Sequence, residues 1–511
     1  MTRRLRFAGD SIVLVTIPLS ALVLGAGADP ARGQCTANQS AKLTASDAAA
    51  SDEFGISVSI SGDVAVIGAP FHLEGGAATG TAYVYRFDGS TWIEQAKLTA
   101  YDGAGGDRFG FSVSISGDVV VVGAYYEDYG GTSSGSAYLF EKPPGGWAPM
   151  AQTAKLTASD AAADDVFAWS VSVSGDVAVI GAPYDDDGGT SSGSVYLFEK
   201  PPGGWTTATE DAKLSASDTA VGDAFGVSVC ISGEVAVIGA PNDNDGGTYS
   251  GSAYLFEKPP GGWVTATEDA KLTASDAAAD DVFGSSVSVS GGLAVIGAHG
   301  DDDGGLSSGS AYLFQEPPGG WTTMTEDAKF TASDAAAGDS FGSSVSISGE
   351  LAISGARYDG DAGVNSGSAY LYAGLGDCNT NGTLDLCDVA GGTSQDCDGN
   401  NVPDECQPDA DGDNMPDSCD GCPNDSAKTA PGQCGCSNPD TDTDGDGVAD
   451  CVDNAPTVFN PDQTLPAGQG PPADEEDAAA GACGCGATSA VLMGFWVLCA
   501  VKLARRRRVR R

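Results

Sequence analysis

Ala270-Lys271-Leu272-Thr273-Ala274, then Phe283-Gly284, then Gly297-Ala298, then Gly309-Ser310-Ala311-Tyr312-Leu313-Phe314 is the stretch that decides the fold, because the chain carries nearly the same unit six times. The Phe-Gly step falls at Phe54, Phe109, Phe167, Phe225, Phe283 and Phe341, spaced 55 residues once and then 58 residues four times. A fixed period of this length marks a repeat architecture in which each unit buries its apolar surface against its neighbours. Each unit holds four short apolar runs separated by Gly, Ser, Asp and Pro, the pattern of four strands and tight turns. In the third unit these are residues 154–158, 166–173, 177–182 and 193–198. Val177-Ala178-Val179-Ile180 is apolar at every position, so this strand is expected to be buried on both faces.

A sheet packed between two like sheets meets that need, and four-stranded sheets packed radially make a β-propeller. A solenoid is the alternative, but the phase of the ends favours a ring. The chain enters with an Ala-Lys-Leu-Thr-Ala strand at Ala41 and leaves after the Gly-Ser-Ala-Tyr strand at 367–372, so the last blade lacks its outermost strand and the first one is left over. The predicted fold is therefore all-β: a six-bladed β-propeller of four-stranded blades over 41–374, closed by the N-terminal strand, which would remove the open edges. A disulfide-rich calcium-loop stalk is expected to follow it.

At Phe225-Gly226 and Gly239-Ala240-Pro241 the chain resembles the FG-GAP repeats of integrin α-subunit propellers. The resemblance spans about two thirds of the chain. It departs from the pattern at Ala168, which replaces the glycine in blade three, and at Tyr125, His299 and Arg357, which replace the proline. Integrin propellers have seven blades, against six units here, and carry calcium loops between the first and second strands. That connection here is only Ser174-Gly175-Asp176 or its equivalent, so the family's calcium sites are not carried over.

Successive turns of an up-and-down blade alternate between the two faces of the ring. The acidic turn Asp185-Asp186-Asp187-Gly188-Gly189 and the link at 160–165 are thus expected on one face, with equivalents at 243–245 and 301–303. The Ser-Gly-Asp and Pro201-Pro202-Gly203-Gly204 turns are expected on the other. In integrins the corresponding acidic-side loops form the ligand-binding face. Without that resemblance they read as solvating turns, since Asp and Gly are what turns prefer. Trp147, Trp205, Trp263 and Trp321 each follow a Pro-Pro-Gly-Gly turn, which suggests packing at the blade rim, with carbohydrate stacking as the lesser reading.

The formal charge is −47, from 71 acidic and 24 basic residues. Such a surface repels phosphate backbones, so no nucleic acid partner is expected. Residues 1–28 read as a secretory signal, with Arg3, Arg4 and Arg6 before an apolar stretch and Ala26-Gly27-Ala28 as the cleavage site. Residues 29–40 and 464–482 read as linkers. At 483–511, Cys483-Gly484-Cys485-Gly486 precedes an apolar run that ends in Arg505-Arg506-Arg507-Arg508. This arrangement resembles the C-terminal sorting signals of bacterial surface proteins, with an ordinary C-terminal anchor as the alternative. It implies membrane association through that segment before any processing, and an exported protein at the cell envelope or outside the cell.

Between Cys378 and Cys451 the chain changes to Asp, Asn, Gly and nine of its 14 cysteines. Four stretches within 375–463 share a twelve-residue ligand grammar of oxygen donors at alternate positions, with Gly sixth, which is what a calcium loop requires. The sharpest supplies Asp442, Asp444, Asp446, the Val448 carbonyl, Asp450 and Asp453. Asp377, Asn379, Asn381, Thr383, Asp385 and Asp388 repeat it, as do Asp409, Asp411, Asp413, Asp417 and Asp420 with Asn414 in place of the glycine. Asp396, Asp398, Asn400 and Asp404 form the weakest copy, which ends in Gln407. The segment resembles thrombospondin type 3 repeats and dockerin-like loops, notably at 450–456 and Asn460-Pro461-Asp462-Gln463. Calcium is the expected cofactor; a disordered acidic linker is the alternative.

Cys378 and Cys387 are nine apart, as are Cys397 and Cys406. In an exported chain such regular pairs read as disulfides of undetermined connectivity. A zinc site at Cys419, Cys422, Cys434 and Cys436 is the competing arrangement. Enzyme chemistry is not visible: only His72 and His299 exist, without a nucleophile elbow beside either, and no phosphate-cradling loop appears. Cys230 replaces a strand serine and reads as an inert buried thiol. The expected function is non-catalytic adhesion or binding of an extracellular protein or polysaccharide. An exported hydrolase and a purely structural envelope component are the alternatives.

Overall fold

A computed structural model describes residues 41–463 apart from 361–363, 380, 382, 400 and 401. The signal-like segment, the 29–40 and 464–482 linkers and the C-terminal tail all lie outside the described residues. Contacts divide the chain into two compact units. The first holds six antiparallel sheets, one per repeat, and continues to Asp409 with residues 414–419; the second runs from Asp420 and includes 410–413.

Blade three shows why the repeat folds as it does. Its strands Ser170–Ser174, Val177–Ala182, Ser194–Glu199 and Ala212–Leu214 pair in order, with Ile180 opposite both Val171 and Tyr196, and Tyr196 opposite Lys213. Ala178 and Ile180 pack toward blade two, whereas Val177 and Val179 pack toward blade four. The uninterrupted apolar run is thus the signature of a strand with a sheet on each side, as expected.

The Phe-Gly and Gly-Ala steps are two halves of one blade-to-blade contact. A Cβ on Gly181 of blade three would collide with the carbonyl of Gly226 in blade four, so the backbones meet only because position 181 is glycine. Gly226 itself has φ +92°, and Ser170 Oγ donates to its carbonyl at 2.8 Å. Ala168 takes the same left-handed turn in blade three at φ +68°. Beside this contact Phe225 stacks edge-on against Tyr254 and Phe256 at 5.5 and 6.1 Å. First-strand serines add a polar rivet. Ser59, Ser114, Ser172 and Ser288 each accept a backbone N–H of the following blade at 3.0–3.1 Å, and Cys230 does so through sulfur at 3.4 Å. Burial pushes the Cys230 thiol up, as befits an inert cysteine.

The seam between blades six and one differs from the other five. Gly355 has no carbonyl from blade one against it, and Ala369 and Leu371 are exposed. The sixth sheet has three strands, and Ala41–Ala45 forms none, which corrects the expected closure by the N-terminal strand. The physical reason lies in what holds that segment. Thr44 O accepts from Tyr85 at 2.9 Å and Ala45 is buried against Ile67 and Tyr83, as the equivalent strand of each later repeat also contacts its following blade, but here the joint that brings the preceding blade alongside is missing. Without the glycine contact, nothing brings it within pairing distance of 368–372.

Beyond the last blade, Leu375 and Leu384 are buried among Phe341, Ile347 and Ala352, with Cys387 packed beside them. The first loop of the cysteine-rich segment therefore belongs to the propeller's core. Leu384→Ala is expected to destabilise the first unit by about 2–4 kcal/mol, read by denaturant unfolding. An unchanged midpoint would mean that this packing contributes nothing.

Candidate functional site: the central cavity and the acidic loops

The acidic face is present, but its carboxylates are already served. In blade three Lys213 reaches Asp160 at 2.7 Å, Asp185 at 3.4 Å and also Asp187. In blade four Lys271 reaches Asp218, Asp243 and Asp245 at 2.6, 3.0 and 2.6 Å. Lys329 repeats this in blade five with Asp276, Asp301 and Asp303, at 2.6, 3.0 and 2.5 Å. The turn and the link therefore do share a face, as the strand order required. These triads have metal-site spacing, yet an ammonium group stands among them. Burial alone would raise Asp243, but the Tyr254 hydroxyl and Lys271 outweigh it and hold its carboxyl down. These are internal ion pairs that orient the loops.

At the centre of that face lies a cavity of about 670 Å³ lined from all six repeats. Two positions per repeat supply most of its wall. The residue after Phe-Gly is Ile56, Phe111, Trp169, Val227, Ser285 and Ser343 in turn; the residue after Gly-Ala is proline in three repeats and Tyr125, His299 and Arg357 in the others. The positions that pack blade on blade are nearly constant among the repeats, whereas these cavity positions change from repeat to repeat, as do surface loops such as 71–79 and 88–95 of the first repeat. One side is aromatic: Phe111 lies 4.4 Å from Tyr125 and 5.0 Å from Trp169, with Tyr184 beyond Trp169 at 6.2 Å. The other side is polar. His299 Nδ1 meets Ser285 Oγ at 2.9 Å, and Ser343 Oγ donates to Gly355 O at 3.1 Å. Burial, with Arg357 adding, drops His299 to about 4, so it is a neutral imidazole at physiological pH. His72 is instead fixed in blade one, between Asp52 and Lys97 at 2.9 Å each. The four turn tryptophans are 5–6 % exposed and packed between blades, which removes the carbohydrate-stacking reading for them.

The cysteine-rich segment repeats one closure four times. The backbone N–H of Asp385, Asp404, Asp417 and Asp450 donates nine residues back to the carbonyls of Gly376, Gln395, Pro408 and Thr441, at 2.7–2.8 Å. The carboxylates of Asp385, Asp404 and Asp450 turn to the loop's own backbone, accepting from Cys378, Cys397 and Thr443 at 2.8–3.0 Å. In the first loop Asn379 and Asn381 both donate to Asp388, and Thr383 N–H donates to Asn381. In the sharpest loop Asp442 accepts from Gly445 and Gly447 at 2.7 and 2.8 Å, and Asp446 from Val448 at 2.9 Å. The Oδ2 atoms of Asp444 and Asp453 are buried without a donor, as are those of Asp411 and Asp420. Desolvation and the neighbouring Asp446 raise Asp444. Like charges facing one another with orphaned oxygens are what a bound cation would relieve, so these residues could hold a metal ion. Asn400 lies outside the described residues.

The disulfides are Cys378–Cys406, Cys397–Cys419, Cys422–Cys436 and Cys434–Cys451. Cys419, Cys422, Cys434 and Cys436 are divided among three of these bonds, which overturns the zinc arrangement. The nine-residue pairs are not bonded to each other, because the helix Asp385–Gly391 turns Cys387 toward the propeller core as a free thiol.

Comparison with known families matches the FG-GAP repeat to residues 37–85, 92–140, 150–198, 208–256, 266–314 and 324–372, more than half of the chain. This chain belongs to the FG-GAP repeat family. No curated protein matches it. Similar solved structures include a candidate 6-phosphogluconolactonase from Bacteroides uniformis, 13 % identical with TM-score 0.41, covering 63 % of this chain and 80 % of that one. The periplasmic gluconolactonase PpgL of Pseudomonas aeruginosa is another, 15 % identical with TM-score 0.38, covering 62 % and 88 %.

The FG-GAP propeller also carries a titrating set. Burial, with adjoining aspartates adding, pushes Asp165, Asp223 and Asp281 up to about 6. An unfolded aspartate ionises near pH ~4, so as pH rises from there to about 6 the unfolded state gains charge first and stability falls. The lysine-bound aspartates act oppositely, and their contribution is lost as pH drops through their depressed values. The melting temperature is expected to be higher at about pH 5 than at about pH 7.5, and to fall again in stronger acid. Asp165→Asn, Asp223→Asn and Asp281→Asn together should flatten the neutral side; an unchanged profile would mean that these groups do not set it.

Proposed function

We propose that this FG-GAP propeller is the binding head of an exported, non-catalytic adhesion protein, and that its ligand enters the central cavity. The observation that carries this reading is a cavity of about 670 Å³ lined from all six repeats by residues that differ from one repeat to the next, while the blade-packing positions stay nearly constant. Packing requires the blade-facing positions to be alike, and a wall that differs from repeat to repeat suits a ligand without six-fold symmetry. Loops at one end of a rigid β-scaffold are where binding residues collect. The partner class is an extracellular protein or polysaccharide, and the C-terminal segment would place the protein at the cell envelope.

We further propose calcium as the cofactor of the cysteine-rich segment, held by Asp442, Asp444, Asp446, the Val448 carbonyl and Asp453, with the Asp377–Asp388 loop as a second site. Bound there it would neutralise facing carboxylates and crosslink a segment too poor in apolar residues to fold on a core. Asp385, Asp404 and Asp450 would serve by holding their loops shut.

The test uses the oxidised chain with and without calcium. Retention by extracellular matrix from the producing cells is expected for the native protein and strongly reduced for Trp169→Ala; retention indifferent to Trp169 would sink the cavity reading. Calorimetric calcium titration should lose a site in Asp444→Asn with Asp453→Asn. If the native and double-variant titrations coincide, those loops hold no calcium.

A further inference from the structure

Resting on the reading of the cavity as the ligand site, we infer that its occupant is a neutral sugar residue of a polysaccharide. Its ring would lie against Trp169 and the Phe111–Tyr125 pair, and its hydroxyls would face Ser285, His299 and Ser343. The cavity is split into two chemistries by neighbouring repeats. Blades one to three contribute Ile56, Phe111 and Trp169 at the position after Phe-Gly, whereas blades five and six contribute Ser285 and Ser343. A pyranose has the matching division, with an apolar C–H face and a rim of hydroxyls, and aromatic side chains are the usual partner for such a face.

Charge decides between a neutral sugar and an ionic one. Glu53 and Asp280 line the cavity against the single guanidinium of Arg357, a balance of two carboxylates to one cation that disfavours an acidic sugar. The imidazole of His299 is neutral; its Nδ1 donates to Ser285 Oγ, whose own proton goes to Gly297 O, and its Nε2 is left to accept from a sugar hydroxyl. Ser285 and Ser343 spend their protons on Gly297 O and Gly355 O, at 3.3 and 3.1 Å, which leaves oxygen lone pairs for sugar hydroxyls to donate to. A chain of net charge −47 would moreover repel a polyuronate before contact. The volume, about 670 Å³, suits a terminal residue with part of its neighbour rather than a single small solute.

The experiment titrates the oxidised full chain, in calcium, with oligosaccharides of glucose, mannose, galactose and N-acetylglucosamine, and with oligogalacturonate as the anionic comparison. Intrinsic fluorescence and calorimetry are the readouts. Saturable binding of a neutral oligosaccharide is expected, with a fluorescence change that disappears in Trp169→Phe. Affinity should drop about tenfold or more in Trp169→Ala, as loss of an aromatic stacking contact implies, and several-fold in His299→Gln. Thermal melting verifies that both variants fold. Binding of oligogalacturonate alone would overturn the neutral-sugar inference and leave the cavity reading standing. Neutral-sugar binding unchanged in both variants would overturn it by placing the sugar elsewhere. No oligosaccharide binding, combined with matrix retention that still depends on Trp169, would overturn the sugar but not the site; retention independent of Trp169 would remove both.

Discussion

The close approach of backbone between successive blades is the constraint on which this molecule depends. A glycine on the second strand of one blade lies against the Phe-Gly carbonyl of the next, as at Gly68 with Gly110, Gly239 with Gly284 and Gly297 with Gly342. Any side chain at those glycines would push the sheets apart. The Phe ring beside the contact fills the wedge that the approach leaves, and the strand serine ties the two backbones by a hydrogen bond. Once this joint is set, the interval between blades, the burial of both faces of the second strand and the position of the cavity all follow. Where the joint is missing, between blades six and one, strand pairing is missing as well.

The same joint explains how so acidic a protein folds. Link and turn are brought over the fourth strand of their own blade, where its lysine gathers two or three carboxylates, while Glu141 with Lys200 and Glu199 with Lys258 tie neighbouring blades on the opposite face at 2.8 and 2.6 Å. Buried partners such as Asp185 and Asp243 would be costly alone and are tolerated because the tyrosine hydroxyl and the ammonium group both reach them. The acidity that invites a metal-binding reading is thus in large part consumed by the fold. Among the described residues, the buried carboxylate oxygens without a donor are those of Asp411, Asp420, Asp444 and Asp453 in the cysteine-rich loops.

Blade packing and cavity lining therefore use different residues of one repeat. Positions that face a neighbouring blade are held nearly constant, because five joints make the same demand. Positions one residue beyond each motif half face the cavity and are released from it. That division lets one scaffold carry an aromatic wall and a polar wall without disturbing its packing.

The period, the phase of its strands and the apolar run at Val177-Ala178-Val179-Ile180 were enough to read the propeller, since repetition and two-faced burial are properties of local sequence. The four-fold repetition of the acidic loop was equally visible, because the residues that shape one turn are close neighbours in the chain. The replacements Tyr125, His299 and Arg357 were visible as departures from the motif, but nothing local says that they converge with Phe111, Trp169 and Ser285, which come from other repeats. Disulfide partners, the lysines seated in the acidic triads, the capture of Leu384 by the propeller core and the unpaired seam were likewise decided only in three dimensions. Each depends on which distant segments the blade joints bring together, and sequence spacing does not encode that distance.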